Sequence, residues 1–329
     1  MSIAKYPDIF DELKAEVRAA GLLERVPVRG SIEMIATIVS MIIVYAVAIN
    51  WEVMPQVWWM PFALALFMII IFTRAVFISH DVLHTQYFKN KSLAFKLSYP
   101  FSAFILSNSS SWWDWKHNVN HHTFCNIPGK DDDIKAMDGA FTNNILKAKK
   151  LWLKKVKYLV FWGAMFFMYP AFIAQSYAFV LRRKKYGEFF LMLLHWPIVW
   201  GPIFYFLPLT DALIVFVTLN FVLSGWLSFG FITNHLGCEV IEQDDAESLS
   251  WMELQMRTSR SLKGGAFVHW FYGGLNTQIE HHLFPKAPRF NLLKVQNMTK
   301  DFAKKHDIAY FETSPLEAYV QINNVLKKY

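Results

Sequence analysis

Histidine is the residue to follow in this chain. Eleven occur, and seven fall in three tight clusters: "HDVLH" with His80 and His84, "HNVNHH" with His117, His121 and His122, and "QIEHH" with His281 and His282. An eighth, His235, ends an apolar run in "TNH". Residues four apart on a helix share a face, so His80 with His84, and His117 with His121, can each present two imidazoles to one region. Adjacent histidines such as His121 and His122 diverge by about 100° on a helix, which suits two metals side by side better than one. Eight imidazoles exceed what one ion takes, so two ions are expected. Imidazole suits iron, zinc, copper and nickel, whereas structural zinc normally takes four ligands, often with cysteine. Gln278 stands three residues before His281, where a third ligand of the last cluster is expected. Its amide oxygen can ligate weakly, and its NH₂ can donate to a metal-bound group.

Single histidines outside the clusters carry less. His269 reads as a packing or hydrogen-bonding residue near the third cluster. His195, inside an apolar run, either hydrogen-bonds within a bundle or lines a substrate path.

The elements that must position these residues follow from composition. The chain of 329 residues is 54% apolar, 17% aromatic and only 18% charged, against a usual ~25% charged. That points to an integral membrane protein. Apolar runs at 32–50, 57–77, 188–207 and 212–233 each approach the roughly 20 residues that cross a bilayer. No Lys or Arg occurs between Arg29 and Arg74, or between Lys185 and Arg257. The loops inside those intervals are therefore external, and the basic ends cytosolic. A further run, Tyr158–Leu181, is long enough to span but ends in "RRKK". If it crossed, those charges would lie outside and the later histidines would face away from the earlier ones. It is therefore expected to be an amphipathic or re-entrant helix, which leaves four transmembrane helices and brings every cluster to the cytosolic side. The predicted fold is all-α: four transmembrane helices with a cytosolic helical cap holding a His-rich dinuclear metal site, in one domain over 1–329.

At the ends, 1–30 predicts an amphipathic helix on the membrane surface, and 285–329 cytosolic helices. Ser314–Glu317 reads as a capping box opening the last of them. The net charge of +7 comes from residues flanking apolar runs, so a membrane face explains it better than nucleic acid. Two cysteines, Cys125 and Cys238, cannot hold an iron–sulfur cluster, which needs about four ligands. Asp81 and Asp114 are candidates to orient ligand imidazoles. "GKDDD", Gly129–Asp133, reads as a solvated turn.

Together the three boxes and "WFYGGLNTQIEHHLFP", Trp270–Pro285, resemble the membrane fatty acid desaturase superfamily, and within it the front-end desaturases that open the third box with Gln. The resemblance covers residues 30–290. Two departures are visible: no His-Pro-Gly-Gly haem motif of a fused cytochrome b5 occurs, and Phe231 stands where stearoyl-type members have Asn.

The resemblance implies a mushroom-shaped fold with His80, His84, His117, His121, His122, His235, His281 and His282 as metal ligands, and Gln278 as a functional neighbour. It implies two iron ions, with zinc able to replace them in purified protein, and O₂ as co-substrate. Electrons come from a separate ferredoxin or cytochrome b5 system, attracted by Arg182–Lys185 or by Arg257, Arg260 and Lys263, unless these charges bind phospholipid or coenzyme A phosphates. The implied reaction inserts a cis double bond into a long-chain acyl substrate, linked to coenzyme A, carrier protein or lipid. The chain would lie in a bent apolar tunnel, lined by Trp112, Trp113 and Trp115 unless these are interfacial anchors. The boxes equally accommodate a hydroxylase or an alkene-forming decarboxylase. A metal transporter is a different class, and it predicts polar ligands midway through the spans, where only His195 lies.

Overall fold

A computed structural model describes residues 9–133 and 159–328. Among the described residues five helices are long and apolar enough to cross a membrane: Pro27–Ile49, Met60–Leu83, Leu159–Arg182, Tyr186–Phe206 and Leu209–His235. Among the described residues the strands form one short parallel ladder, Ser261–Leu262 with Glu312–Thr313. The chain divides into two compact units.

One unit comprises 26–114 and 163–228 and carries most of the long helices. Pro27 and Pro61 open the first two, where a missing N–H costs nothing. Met60–Leu83 is the most enclosed of the five, while Pro27–Ile49 turns Ile32, Ile35 and Ile42 outward, an apolar face suited to lipid. Met60–Leu83 and Leu209–His235 continue past their apolar runs, so that His80 and His235 lie inside helices rather than after them. The short apolar run at 99–106 is a buried π-helical turn, Pro100–Ile105. Wide turns free carbonyls; here the Phe104 carbonyl lies 2.8 Å from His195 Nδ1, and the Leu106 carbonyl accepts from the Tyr169 hydroxyl at 3.0 Å. Satisfying such groups internally is obligatory away from water.

The other unit comprises 1–25, 115–162 and 229–329. Its core joins Leu13 and Val17 of the Phe10–Ala19 helix to Met252, Met256, Ile279, Leu283 and Phe302. The N-terminal helix thus buries its apolar stripe in protein, with Phe10 packed 5.3 Å from Phe284. The reason is that a matching apolar face on the C-terminal helix Leu292–Lys305 covers the stripe. Local signals hold at the end of the chain. Ser314 accepts from the Glu317 N–H at 3.2 Å and caps Pro315–Lys328.

Candidate metal centre

The second histidine box does not lie on a plain α-helix. Asp114–His121 is π-helical, a wider turn often found at functional sites. The change matters for which imidazoles meet. His117 still faces His121, with rings stacked at 5.3 Å, but it also reaches His122, five residues on, at 4.8 Å. Adjacent histidines are therefore drawn into one group.

The segment ends at Asn126, whose positive φ of 54° is a conformation Asn tolerates better than most residues. Its side-chain NH₂ donates to the carbonyls of His235, Glu239 and Thr258 at 3.1–3.2 Å. One amide thus ties the end of the second box to the end of the Leu209–His235 helix and to the Trp251–Thr258 helix. Arg260 completes the clamp. It is fully buried, and its guanidinium donates to the Leu236 carbonyl and to Gln321. Arg260 is therefore not part of any carrier-attracting surface, and Arg257 is engaged by Glu239 and Glu253. The third box is the short helix Gln278–Leu283, anchored by Glu280, which accepts from Ser261 at 3.0 Å and Tyr310 at 2.9 Å. Burial pushes that carboxyl up to about 7.

These elements bring His121, His235 and His282 together with ring centroids 4.7–4.9 Å apart. Their nitrogens and the Cys125 sulfur lie within 4.8 Å of one another. His122 continues the group, 4.4 Å from His282 and 4.7 Å from His281, and His117 lies 6.0 Å from His281. In the other unit His80 and His84 pack at 4.5 Å. Seven of the eight are buried and His235 is partly so.

What fits the cluster to a metal is how five of the eight imidazoles are held. His121 Nδ1 lies 3.0 Å from both oxygens of Asp131, and His117 Nδ1 lies 3.3 Å from Asp133. His80 Nδ1 lies 3.2 Å from Asp81, as the sequence suggests. His282 Nδ1 donates to Gln255 at 2.7 Å, and His235 Nδ1 to the Thr258 carbonyl at 3.1 Å. Such a partner fixes the tautomer and leaves Nε2 as a lone-pair donor. His282 Nε2 is buried with no hydrogen-bond partner among the described residues. Burial, together with its neighbouring histidines, holds His282 well below the ordinary value, so its imidazole is neutral. A neutral, buried, unpartnered nitrogen beside two others is the donor set of an imidazole-bound ion.

"GKDDD" is not a solvated turn. Asp131 is fully buried and also accepts from the Asn126 N–H at 2.9 Å. Burial would raise its carboxyl, but the His121 imidazole and the Asn126 N–H outweigh that and hold it below the usual carboxylate value. Asp133 pairs with Lys116, whose ammonium burial lowers to about 8. Asp114 instead pairs with Lys91 at 3.6 Å. Gln255 and Asn126 carry no signal in their spacing, and the helix ends before Cys125; all three join the site through tertiary packing. Cys125 and Cys238 are free thiols, and burial raises Cys125 well above its ordinary value.

Gln278 is buried, with its amide nitrogen 2.8 Å from His235 Nε2 and its oxygen accepting from Asn234 at 3.1 Å. The sequence aligns it with His281 and His282; in the structure it meets His235. His269 spends its nitrogens on Asn276 and the Arg289 carbonyl, a packing role. Trp112 is buried against Trp113 and Phe172, so it is not an interfacial anchor, whereas Trp115 is exposed.

Comparison with known proteins adds the family. The acyl-lipid (9-3)-desaturase of Physcomitrium patens is 32% identical over 81% of this chain and 53% of its own length. The Delta(5) fatty acid desaturase of Caenorhabditis elegans is 28% identical over 92% of this chain and 69% of its own. The Delta(8)-fatty-acid desaturase of Euglena gracilis is 24% identical over 94% and 76%. The chain thus spans about half to three-quarters of the length of these relatives. The fatty acid desaturase family matches residues 57–314, a stretch that includes every histidine box, and the chain belongs to that family.

Proposed function

We propose that this protein is a membrane fatty acyl desaturase that inserts a cis double bond into a long-chain acyl group. The observation that carries the reading is the set of clustered imidazoles, five of them held through Nδ1, in a chain of this family. We assign two irons to His80, His84, His117, His121, His122, His235, His281 and His282. When bound, such ions supply the oxidising power for removing hydrogen from an unactivated carbon, which no side chain can supply. The chain's own residues do the rest. Asp131, Asp133, Asp81 and Gln255 hold the imidazoles in one tautomer. Gln278 brings an amide to His235 Nε2, where its oxygen can ligate or its NH₂ can donate. The buried surroundings exclude water from the centre.

O₂ is the co-substrate in this reading. Electrons come from a separate ferredoxin or cytochrome b5, for which exposed basic residues such as Arg182, Lys184 and Lys263 are the contact points. Four of the five apolar helices cross the membrane, with the metal centre on the cytosolic side. Leu159–Arg182 stays on that side, because crossing would carry Arg182–Lys185 out against the positive-inside rule. A cysteine placed at Lys184 should react with an impermeant thiol reagent only from the cytosolic face; labelling from outside overturns this topology.

The function itself is tested with iron-loaded protein, a reductase system, O₂ and acyl substrates, reading products by mass spectrometry. Loss of two hydrogens is expected. A gain of one oxygen would mean a hydroxylase, and loss of the carboxyl carbon a decarboxylase. Metal analysis should find close to two ions per chain.

A further inference from the structure

A polar cavity of about 590 Å³ lies wholly within the unit of long helices. Its walls carry three lysines, Lys91, Lys96 and Lys185, with an aromatic pair, Phe95 and Tyr99, set edge to face at 5.9 Å. Lys96 and Lys185 are exposed. At the base sits Glu188, only 6% exposed. One of its oxygens accepts from the Ser111 N–H at 3.0 Å. The other, Oε2, is buried and has no hydrogen-bond partner among the described residues. Tyr99 lies near enough to feel this carboxylate: burial, and then the Glu188 charge, raises its phenol.

Two chemistries therefore meet in one cavity. Three ammonium groups call for an anion with several acceptor oxygens. A buried carboxylate oxygen with nothing to accept from calls for an N–H or O–H donor, because leaving it unmet is costly. An aromatic pair beside that carboxylate favours a cationic donor. A phosphate joined through a short linker to an ammonium satisfies all three. The cavity's position selects the source. Lys91 follows the end of the Met60–Leu83 helix, and Lys185 immediately precedes Tyr186–Phe206, so the cavity lies at the ends of spans, at the level of phospholipid head groups. It is also tied to the second histidine box. Ser111 belongs to Ser110–Trp113, which runs directly into Asp114–His121, and Lys91 pairs with Asp114 at 3.6 Å.

We infer that this cavity binds the phosphoethanolamine head group of an acyl phospholipid, with the lysines on the phosphate and Glu188 on the ammonium, so that the substrate is lipid-linked. This rests on the acyl-desaturase reading for its substrate, but its test does not. Purified full-length protein in detergent is offered phosphatidylethanolamine, phosphatidylglycerol and palmitoyl-coenzyme A in competition, and bound species are counted by native mass spectrometry. Phosphatidylethanolamine should be retained over phosphatidylglycerol by about tenfold, the size of one charge-assisted hydrogen bond. Glu188→Gln should bring the two phospholipids to within about threefold of each other.

The paired substitution Lys96→Gln with Lys185→Gln, at exposed positions that do not threaten folding, should weaken both phospholipids about tenfold. Equal retention of the two phospholipids by the wild type, or an unchanged preference in folded Glu188→Gln, overturns the inference. So does unchanged binding in the lysine pair, or palmitoyl-coenzyme A displacing both phospholipids. A wild type that prefers phosphatidylethanolamine but forms no unsaturated product leaves this site standing and removes the desaturase reading. A wild type that desaturates only the coenzyme A ester does the reverse.

Discussion

His195 and His282 are both buried and both flanked by aromatic or imidazole rings, yet they do different work. His195 sits among the long helices. Its Nδ1 meets the Phe104 carbonyl at 2.8 Å, and its Nε2 accepts from the Trp200 N–H at 3.0 Å. Both nitrogens are consumed by protein. His282 gives Nδ1 to Gln255 at 2.7 Å and keeps a buried Nε2 without a partner among the described residues. Burial alone therefore does not mark a ligand. What marks His282 is an imidazole anchored on one side and left open on the other, next to His121 and His235, which are also held through Nδ1.

The sharpest way to break this contrast is His282→Ala. It removes a nitrogen from the three-imidazole group of His121, His235 and His282, so desaturation should fall to background. Metal content should drop from near two ions per chain toward one, measured by elemental analysis. A variant that keeps both ions and turnover would mean that Nε2 of His282 is not a ligand. Asp131→Asn comes next. An amide in place of the carboxylate still reaches His121 Nδ1, but without the charge that strengthens that hydrogen bond and makes Nε2 more basic. Loss of such an outer partner typically costs about 10–100-fold in metal affinity, read by chelator competition. Asp133, less buried and shared with Lys116, should matter less.

Gln278 tests a finer distinction. Its amide touches His235 Nε2, but eight imidazoles remain without it. Gln278→Ala should keep the fold and most of the metal while losing most desaturation. Gln278→His should recover part of the activity, because an imidazole can ligate from the same place. Near wild-type turnover in Gln278→Ala with full metal would make the glutamine merely structural.

How much of this was legible without coordinates follows from the same residues. The boxes were, because His at i and i+4 beside an apolar run is a local pattern, and so were the long helices. The partners of the imidazoles were not. Asp131 lies in a run of three aspartates that looks like any polar turn, and only a turn at Asn126 folds it back onto His121. Gln255 is an interior helix position with no period linking it to His282. Cys125 follows His121 by a helical spacing, yet the helix ends between them. The N-terminal stripe of Leu13 and Val17 was legible as amphipathic, but sequence cannot say whether protein or lipid covers an apolar face; here it is the C-terminal helix.

The mildest prediction concerns His195, where the contrast predicts stability without function. His195→Phe keeps an aromatic ring against Phe72, 6.4 Å away in the native packing, but leaves the Phe104 carbonyl and the Trp200 N–H without their side-chain partner. Within a helical membrane bundle such a hydrogen bond is worth about 0.6–2 kcal/mol. Two lost together should lower the thermal midpoint measurably, with metal content unchanged. Trp200→Phe removes only one of the two bonds and should cost about half as much. If the pair is purely structural, the double variant should cost little more than His195→Phe alone, because the Trp200 N–H that needed a partner is gone. Loss of an ion from His195→Phe, or a specific loss of turnover at temperatures where it stays folded, would place His195 with the working histidines and undo the distinction between an imidazole closed on both sides and one left open.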